Sequence, residues 1–328
     1  MANIFVKGTK IAQTGLALLK KRLQAPALFT IKKGLADFKG AEGDTVSVKR
    51  PAILVARELT WRGDDEIIAD KLVNTKIQIT LNKHPMSAVD LSPEEITLDE
   101  IEYVADVQVP QVDSIQVWFE NLLIDTLRNA NFLTGMQQKF DLNSNKGIEN
   151  DARKVAIRGR KLLNAQHVPL TGRYWLVGAD VSEAIATHPK LLEVDTAGVP
   201  EALREGVVGK LGGFIIVELD ALKADESYFV HETAIAYAAV APAVPQGATK
   251  GGGVAGSNGL AVTQVWDYNS KTGKDRSLVH AFAGATPVLD PKIKADGTIQ
   301  ITNGEPVMEF KRAVKVAFTP EADAPAGG

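Results

Sequence analysis

The stretch from Pro110 to Ala130 constrains the fold more than any other, because it predicts one long amphipathic helix. Proline suits a first helical position, since its missing N–H would have no intrahelical partner there. Apolar residues then recur every three or four positions, at Val112, Ile115, Phe119 and Leu122. About 21 residues at 1.5 Å each give a rod of roughly 31 Å, which is long enough to cross a domain.

The predicted helix also belongs to an acidic block. Between His84 and Leu127 the sequence has no lysine or arginine but ten carboxylates. Residues 1–40 have the opposite sign: eight cationic residues against one acidic residue give +7, which leaves −10 for the rest of a chain whose net charge is −3. Opposite signs favour contact between a basic arm and an acidic surface. Two separately solvated faces, or contact of the arm with a nucleic-acid backbone, are the alternatives.

Length and composition narrow the classes of protein. The chain has 328 residues, enough for two modest domains or one elongated domain. The lack of cysteine excludes disulfides, thiolate metal sites and a cysteine nucleophile. Residues 1–25 do not have the pattern of a signal peptide, and no apolar run approaches the length of a membrane span. We therefore expect a soluble protein made in a cytoplasm, without membrane contact.

A long two-stranded hairpin is predicted before the acidic block. Residues 45–56 and 71–82 have the composition of strands, and the polar segment between them contains Trp61. An isolated hairpin is marginal in water. It therefore either packs on its own domain or is stabilised by a partner chain.

The remaining pattern alternates between helix and strand signals. Capping boxes and amphipathic periodicity predict helices at 98–108, 150–164, 180–189 and 200–206. Strands are predicted at 86–91, 173–178, 209–219, 260–269 and 275–288, and Asn303-Gly304 predicts a hairpin that joins 298–302 to 306–318. The apolar stretch 227–244 is compatible with helix or strand. The glycine-rich stretch 246–259 is predicted to be a flexible surface loop.

No constellation of residues predicts catalysis. None of the five histidines stands at ligand spacing to another, and His231-Glu232 lacks the second histidine of the zinc-protease motif because position 235 is isoleucine. The glycine-rich stretch lacks the Gly-Lys-Ser/Thr ending of a phosphate-binding loop, and no Gly-x-Ser-x-Gly motif occurs. The sequence therefore predicts no catalytic residue, no metal site and no cofactor.

The order of these elements resembles that of the major capsid proteins of tailed bacteriophages, whose HK97-type fold is shared with encapsulin shells. The run GVVGKLGGFIIVEL (206–219) followed by SYFVHETAIAYA (227–238) is similar to the glycine-punctuated strand and alanine-rich segment of that family. The resemblance covers about residues 1–290. It implies an α+β, HK97-type capsid fold with an N-terminal arm, an extended hairpin called the E-loop, a peripheral domain with a long spine helix, and an α/β axial domain.

The resemblance also implies a division of the chain. The expected parts are an N-terminal arm (1–43), the E-loop hairpin (44–82), the peripheral domain (83–166, with the spine helix at 110–130), the axial domain (167–258), return strands to the peripheral domain with a C-terminal hairpin (259–318), and a disordered tail (319–328). The hairpin at 298–318 has no counterpart in the family pattern and is a candidate extension of the peripheral-domain sheet.

The implied function is structural rather than enzymatic. Copies would assemble into hexamers and pentamers of an icosahedral virion shell around double-stranded DNA, after synthesis in the host cytoplasm. Expected partners are other copies, DNA contacted non-specifically, a separate scaffolding protein and a portal, and a decoration protein is a further partner that such a shell can use. Two alternatives are an encapsulin-like compartment and, from another class, a nucleotide-using α/β enzyme built on residues 168–244.

Two sets of residues are predicted at contacts between subunits. In the first, the basic arm (Lys20, Lys21, Arg22) lies across the acidic block Asp90–Asp125 of a neighbouring subunit, or packs beside that of its own subunit. The helix residues of that block (Asp113, Glu120, Asp125) should then lie off the buried stripe. In the second, the hairpin tip (Trp61, Arg62, Asp64, Asp65, Glu66) contacts an adjacent subunit. Each exposed ion pair contributes only about 0–1 kcal/mol, so such contacts matter through their repetition around a shell.

Overall fold

A computed structural model describes residues 28–33, 44–49, 56, 58, 61, 63, 76–93, 107–141, 152–186, 207–248, 250–255, 261–294 and 298–319. Its helices are α1 (Val109–Arg128), α2 (Ala152–Ala165) and α3 (Ala179–Ala186). The strands of the first half are β1 (Thr30–Lys33), β2 (Thr45–Lys49), β3 (Lys76–Thr80), β4 (Met86–Leu91), β5 (Gln137–Asp141) and β6 (Arg173–Val177).

The described residues of the second half form mainly strands. They are β7 (Val207–Leu211), β8 (Phe214–Glu218), β9 (Glu226–His231), β10 (Ile235–Val240), β11 (Lys250–Ala255), β12 (Ala261–Asn269), β13 (Lys274–His280), β14 (Phe282–Pro287), β15 (Asp290–Pro291), β16 (Ile301–Thr302), β17 (Glu305–Pro306), β18 (Met308–Glu309) and β19 (Ala313–Thr319).

Helix α1 confirms the long helix predicted from the apolar periodicity. It begins one residue before Pro110, and Val112, Ile115 and Phe119 of the predicted stripe are buried. The next fully buried position is Leu123, whereas Leu122 is only partly buried. The helix packs on β4 and β13 of one sheet and on β10 and β14 of another. Full burial of each large apolar side chain contributes roughly 1.5–3 kcal/mol, so this stripe is a major stabilising element.

The two sheets that contact α1 are of different kinds. One has three strands in the order β1-β10-β14, with β1 parallel to β10, and the other has four strands in the order β11-β12-β13-β4. Phe29, just before β1, is fully buried in the core beside α1, and Phe119 meets Tyr237 of β10 edge to face at 6.1 Å between ring centroids. Part of the predicted arm therefore belongs to the core of its own chain.

The largest sheet has six strands in the order β5-β19-β9-β6-β8-β7. Helix α2 packs on β5 and β19, over a core that includes Trp175, Phe229 and Val316. Gly159 allows this close approach, because a Cβ atom there would stand 2.6 Å from the Phe229 ring. The last long strand, β19, thus lies in the sheet of β6, β8 and β9, and not in a sheet with β4, β12 and β13.

Strands β2 and β3 pair as predicted for the base of the long hairpin. Ile77 and Ile79 of β3 pack against Ala236, Ala238 and Val288, so the base lies on the chain's own three-stranded sheet. The contact is close: a Cβ atom on Gly284 of β14 would stand 2.1 Å from the carbonyl oxygen of Thr80. The hairpin was expected either to pack on its own domain or to be stabilised by a partner chain. The first alternative is correct for the base of the hairpin.

Several other predictions can be compared with the strands and turns. The predicted single strand at 209–219 is wrong, because Gly212 and Gly213 have φ of 60° and 97° and reverse the chain between β7 and β8. The ambiguous stretch 227–244 contains two strands, β9 and β10. The turn at Asn303-Gly304 is confirmed, with φ of 53° and 84° at its two residues.

The glycine-rich stretch was also mispredicted, because it contains strand β11 and is not wholly a loop. A Cβ atom on Gly251 would stand 2.4 Å from the Val244 side chain, so glycine permits close packing there. The capping box predicted at Asp180 is misplaced, since α3 begins at Ala179. Most of the predicted helix at 98–108, the whole helix at 200–206 and nearly all of the tail lie outside the described residues.

Candidate assembly surfaces

The three carboxylates singled out on α1 lie outside its buried set. Asp113 and Glu120 are partly exposed and Asp125 is exposed. Asp125 already has a cationic partner in its own helix, because Arg128 Nη1 donates to its Oδ1 at 2.5 Å. This exposed pair therefore reduces the negative charge that α1 offers to another chain.

The C-terminal end of α1 is fastened to the six-stranded sheet. Arg128 Nε and Nη2 donate to the two carboxylate oxygens of Glu226, each at 2.7 Å. Burial would raise the pKa of Glu226, but the hydrogen bonds and positive charge of Arg128, with the backbone of Lys223, lower it overall. The same bonds raise the pKa of Arg128. The pair joins positions 98 residues apart, which sequence spacing alone does not indicate.

A second ion pair neutralises part of the acidic block. Asp90 of β4 and Arg276 of β13 face each other across the strand pair. Arg276 Nε and Nη2 donate to the two carboxylate oxygens of Asp90 at 2.5 and 2.9 Å. The hydrogen bond from Arg276 holds the pKa of Asp90 below its usual range. Two carboxylates of the block, Asp90 and Asp125, are thus paired with arginines that lie beyond it in sequence.

Only part of the predicted contact residues can be placed. Trp61 at the predicted hairpin tip is 87% exposed. A tryptophan in water leaves a large apolar surface uncovered, and such side chains are enriched at protein interfaces. The other tip residues (Arg62, Asp64, Asp65, Glu66) and the arm residues (Lys20, Lys21, Arg22) lie outside the described residues. Their inter-subunit roles remain predictions.

The fold brings together two histidines that are far apart in sequence. His84 Nε2 and His280 Nδ1 are 3.0 Å apart, beside the partly exposed ring of Phe282. Burial lowers the pKa of His280, and the neighbouring His84 lowers it further. Two histidines are fewer than the three protein ligands of a catalytic zinc site. No group of three or more histidine, aspartate or glutamate side chains able to hold a metal occurs among the described residues.

Strand β11 argues against a nucleotide site in the glycine-rich stretch. Its residues from Lys250 to Ala255 are paired with β12. A phosphate-binding loop needs backbone N–H groups that point at the ligand from a strand–loop–helix turn. Between Lys250 and Ala255 the backbone instead forms a strand ladder. In the part of the chain that the structure describes, no helix is long and apolar enough to cross a membrane.

Comparison with known proteins places this fold. The sequence matches no protein-family model, and no curated protein matches it in sequence. In structure it is similar to the capsid of Ralstonia phage GP4 (TM-score 0.58, 11% identity, 100% of this chain and 94% of that chain). It is also similar to the Cyanophage Pam1 capsid, with a TM-score of 0.58 and 12% identity over 98% of this chain and 95% of that chain. A chain of Mycobacterium phage Che8 has a TM-score of 0.53 and 14% identity over 96% of this chain and 93% of that chain.

These similarities extend over whole chains on both sides. The protein therefore has the α+β fold of tailed-phage capsid proteins, and the fold predicted from the order of elements is confirmed. At identities of 11–14% the similarity concerns the fold. Which residues contact another subunit has to be argued from this chain's own surfaces.

Proposed function

We propose that the protein is a structural subunit that assembles with copies of itself into the shell of a phage capsid. The observation that carries this proposal is the structural similarity over 98–100% of the chain to chains of phage capsids. Hexamers and pentamers closing into an icosahedral shell around double-stranded DNA are the expected assembly. The protein would then function in the virion, after synthesis in the host cytoplasm.

Two surfaces support assembly through many weak contacts. The exposed Trp61 offers an apolar anchor at the hairpin tip. The partly exposed Asp113 and Glu120 offer carboxylates to the basic arm of a neighbouring subunit or of the same one. Because each exposed ion pair contributes about 0–1 kcal/mol, misplaced subunits can dissociate before the shell closes. A scaffolding protein and a portal would direct this process, and a decoration protein could cover the finished shell.

A catalytic role has no support among the described residues. The nucleotide-using enzyme considered from the sequence needs a phosphate-binding loop, whereas residues 250–255 of the glycine-rich stretch form strand β11. An encapsulin-like compartment remains the alternative within the same fold, because it differs in the contents of the shell and not in the subunit's architecture.

Electron microscopy of the purified protein tests the proposal directly. Negative staining and sedimentation velocity should show closed particles of uniform size at high protein concentration or with the scaffolding protein added. A chain that stays monomeric under all of these conditions would contradict the proposed function. The absorbance ratio of purified particles, before and after nuclease treatment, then separates a shell around nucleic acid from one around cargo protein.

A further inference from the structure

Helix α2 carries a strongly basic face that the assembly contacts above do not use. Its 14 residues include five cations and no carboxylate. The cations Arg153, Lys154, Arg158, Arg160 and Lys161 are all exposed, whereas Ala152, Val155, Ala156, Gly159 and Leu163 are buried against the six-stranded sheet. The helix therefore buries one narrow apolar stripe and presents its positive charge to the outside.

Most of this charge is not compensated by the residues that the structure describes. None of Lys154, Arg158, Arg160 and Lys161 forms an ion pair with another described residue. Lys154, Arg158 and Lys161 follow the i, i+4, i+7 spacing, so they lie along one side of the helix over roughly 10 Å. A nucleic-acid duplex carries about one phosphate charge per 1.7 Å of axis, so several phosphates come within reach of three such side chains.

A buried arginine adds to the positive potential behind this face. Arg173 is only 3% exposed, and its Nη1 has no hydrogen-bond partner among the described residues. Burial lowers the pKa of Arg173, and the positive charge of Arg160 lowers it further, which places the two guanidinium groups within electrostatic range. The Arg160 side chain itself lies beside the turn at Gly213.

We propose that the exposed face of α2 binds the phosphate backbone of duplex nucleic acid. The proposal rests on the proposed shell function and deepens it by assigning one surface of the subunit to the packaged polymer. Contact with the phosphates would be independent of base sequence, because phosphate oxygens carry no sequence information.

The acidic block of a second copy fits this face less well. Asp90 and Asp125 of that block are already bonded to Arg276 and Arg128 of their own chain. The pair with Arg276 removes one negative charge that a basic partner would need, whereas Arg128 is shared between Asp125 and Glu226. A polyphosphate, in contrast, offers a continuous row of charges to the whole length of the helix.

A salt titration tests this inference. A fluorescein-labelled 30-base-pair duplex is added to the unassembled full-length protein at 50–200 mM NaCl, and binding is followed by fluorescence anisotropy. Each phosphate contact contributes about 0.9 to the slope of log K against log[salt], so three contacts make binding roughly 40-fold weaker across this range. The variant K154Q/R158Q/K161Q should lose about 2.7 from that slope and bind at least about tenfold more weakly at 50 mM.

A matched control removes the same amount of charge elsewhere. Lys83, Lys271 and Lys294 are exposed on other elements, and the variant K83Q/K271Q/K294Q should keep the slope of the wild type. Glutamine has a helix propensity close to those of lysine and arginine, so the α2 variant should unfold at the same temperature as the wild type.

Two results would overturn the inference. One is an unchanged affinity and slope in the α2 variant. The other is a wild type that binds no duplex while the α2 variant fails to assemble, which would place a second copy of the chain on this face. If the wild type forms shells but binds no duplex, this inference is refuted and the proposed function stands. If the protein binds duplex but never assembles, the proposed function is refuted and this inference stands.

Discussion

Arg128 and Glu226 form a bidentate ion pair that closes the C-terminal end of helix α1 onto strand β9. The Glu226 side chain is only 15% exposed. The apolar stripe of α1 contacts the two smaller sheets, so this pair adds a link between the same helix and the six-stranded sheet. The long helix is therefore held to all three of these sheets.

Replacing Arg128 by methionine should lower the free energy of unfolding by about 1–3 kcal/mol, because a largely buried carboxylate loses two charge-assisted hydrogen bonds. Urea denaturation measures the change. Asp125→Asn is the matched control, since Asp125 is 57% exposed and its pair with Arg128 should contribute less than about 1 kcal/mol. Equal losses in both variants would contradict the anchoring role of Glu226.

The same pair should give the protein a defined response to acid. The pKa of Glu226 is lowered from its ordinary value of 4.5, so the folded state keeps this carboxylate charged where the unfolded state is already protonated. Its stabilisation is present above pH 4.5 and is lost as the pH falls through the folded-state pKa. Glu226→Gln should therefore flatten the decline of stability below pH 4.5 in chemical denaturation. An unchanged decline would refute this prediction.

Gly284→Ala should disturb the seat of the long hairpin. The added Cβ would meet the Thr80 carbonyl oxygen, a backbone atom, at 2.1 Å, so β3 or β14 must shift. Overpacking of this kind costs roughly 1–3 kcal/mol. Gly247→Ala is the control, because a Cβ there has no atom within 4 Å. The thermal transition should move for the first variant only, and a shift of the same size in both would be evidence against a tight seat.

Mild acid should destabilise the protein through His280. Burial lowers the pKa of His280 from 6.5, and His84 lowers it further, so the unfolded state takes up a proton that the folded state resists. Stability present above pH 6.5 is consequently lost as the pH falls below it. His280→Asn should reduce the difference in unfolding free energy between pH 7.5 and 5.5. The variant should not abolish that difference, because burial and Arg312 also lower the pKa of His231.

Reversal of charge in the arm should impair assembly without unfolding the subunit. In K20E/K21E/R22E the arm would repel the acidic residues that we propose it contacts. Particle yield by sedimentation should fall, while circular dichroism and thermal stability stay as in the wild type. The control K20R/K21R/R22K keeps all three charges and should assemble. Normal particles from the charge-reversed variant would disprove the arm contact.

Trp61→Ser should separate assembly from stability. The side chain is 87% exposed, so its loss should change the free energy of unfolding by less than about 0.5 kcal/mol. If the tip contacts an adjacent subunit, particle yield should fall sharply, and deletion of residues 60–67 should leave soluble, unassembled protein. Tyr268→Ser removes another exposed aromatic side chain and serves as the comparison. Intact particles from the deletion variant would exclude the tip contact.

The elements that the sequence predicted well are those whose signal is local. The periodicity of α1, the bounds of β4 and the turn at Asn303-Gly304 depend on residues within one element. Glycine caused two of the errors: in Gly212-Gly213 it makes a turn through positive φ, whereas in β11 it permits close packing within a strand. Composition does not distinguish these uses, because both follow from the missing Cβ.

Candidate surfaces were harder to predict than elements, for a topological reason. Arg276 neutralises Asp90 from a position 186 residues away, so the acidic block looks more negative in sequence than it is in the folded chain. Glu226 likewise binds Arg128 from a position 98 residues away. The basic side of α2 was visible in the sequence. Its lack of ionic partners among the described residues emerged only with the fold.

Strand β19 is the last strand to join the six-stranded sheet during synthesis of the chain. It lies between β5 and β9 and is hydrogen-bonded to both, although it follows them in sequence by more than 80 residues. While a ribosome is still making residues 261–312, these two neighbours have no common partner and the six-stranded sheet stays divided. A subunit can therefore complete its largest sheet only when synthesis has passed Thr319. If shells form from folded subunits, a chain whose synthesis stops before that point is excluded from them, and no separate quality-control mechanism is needed.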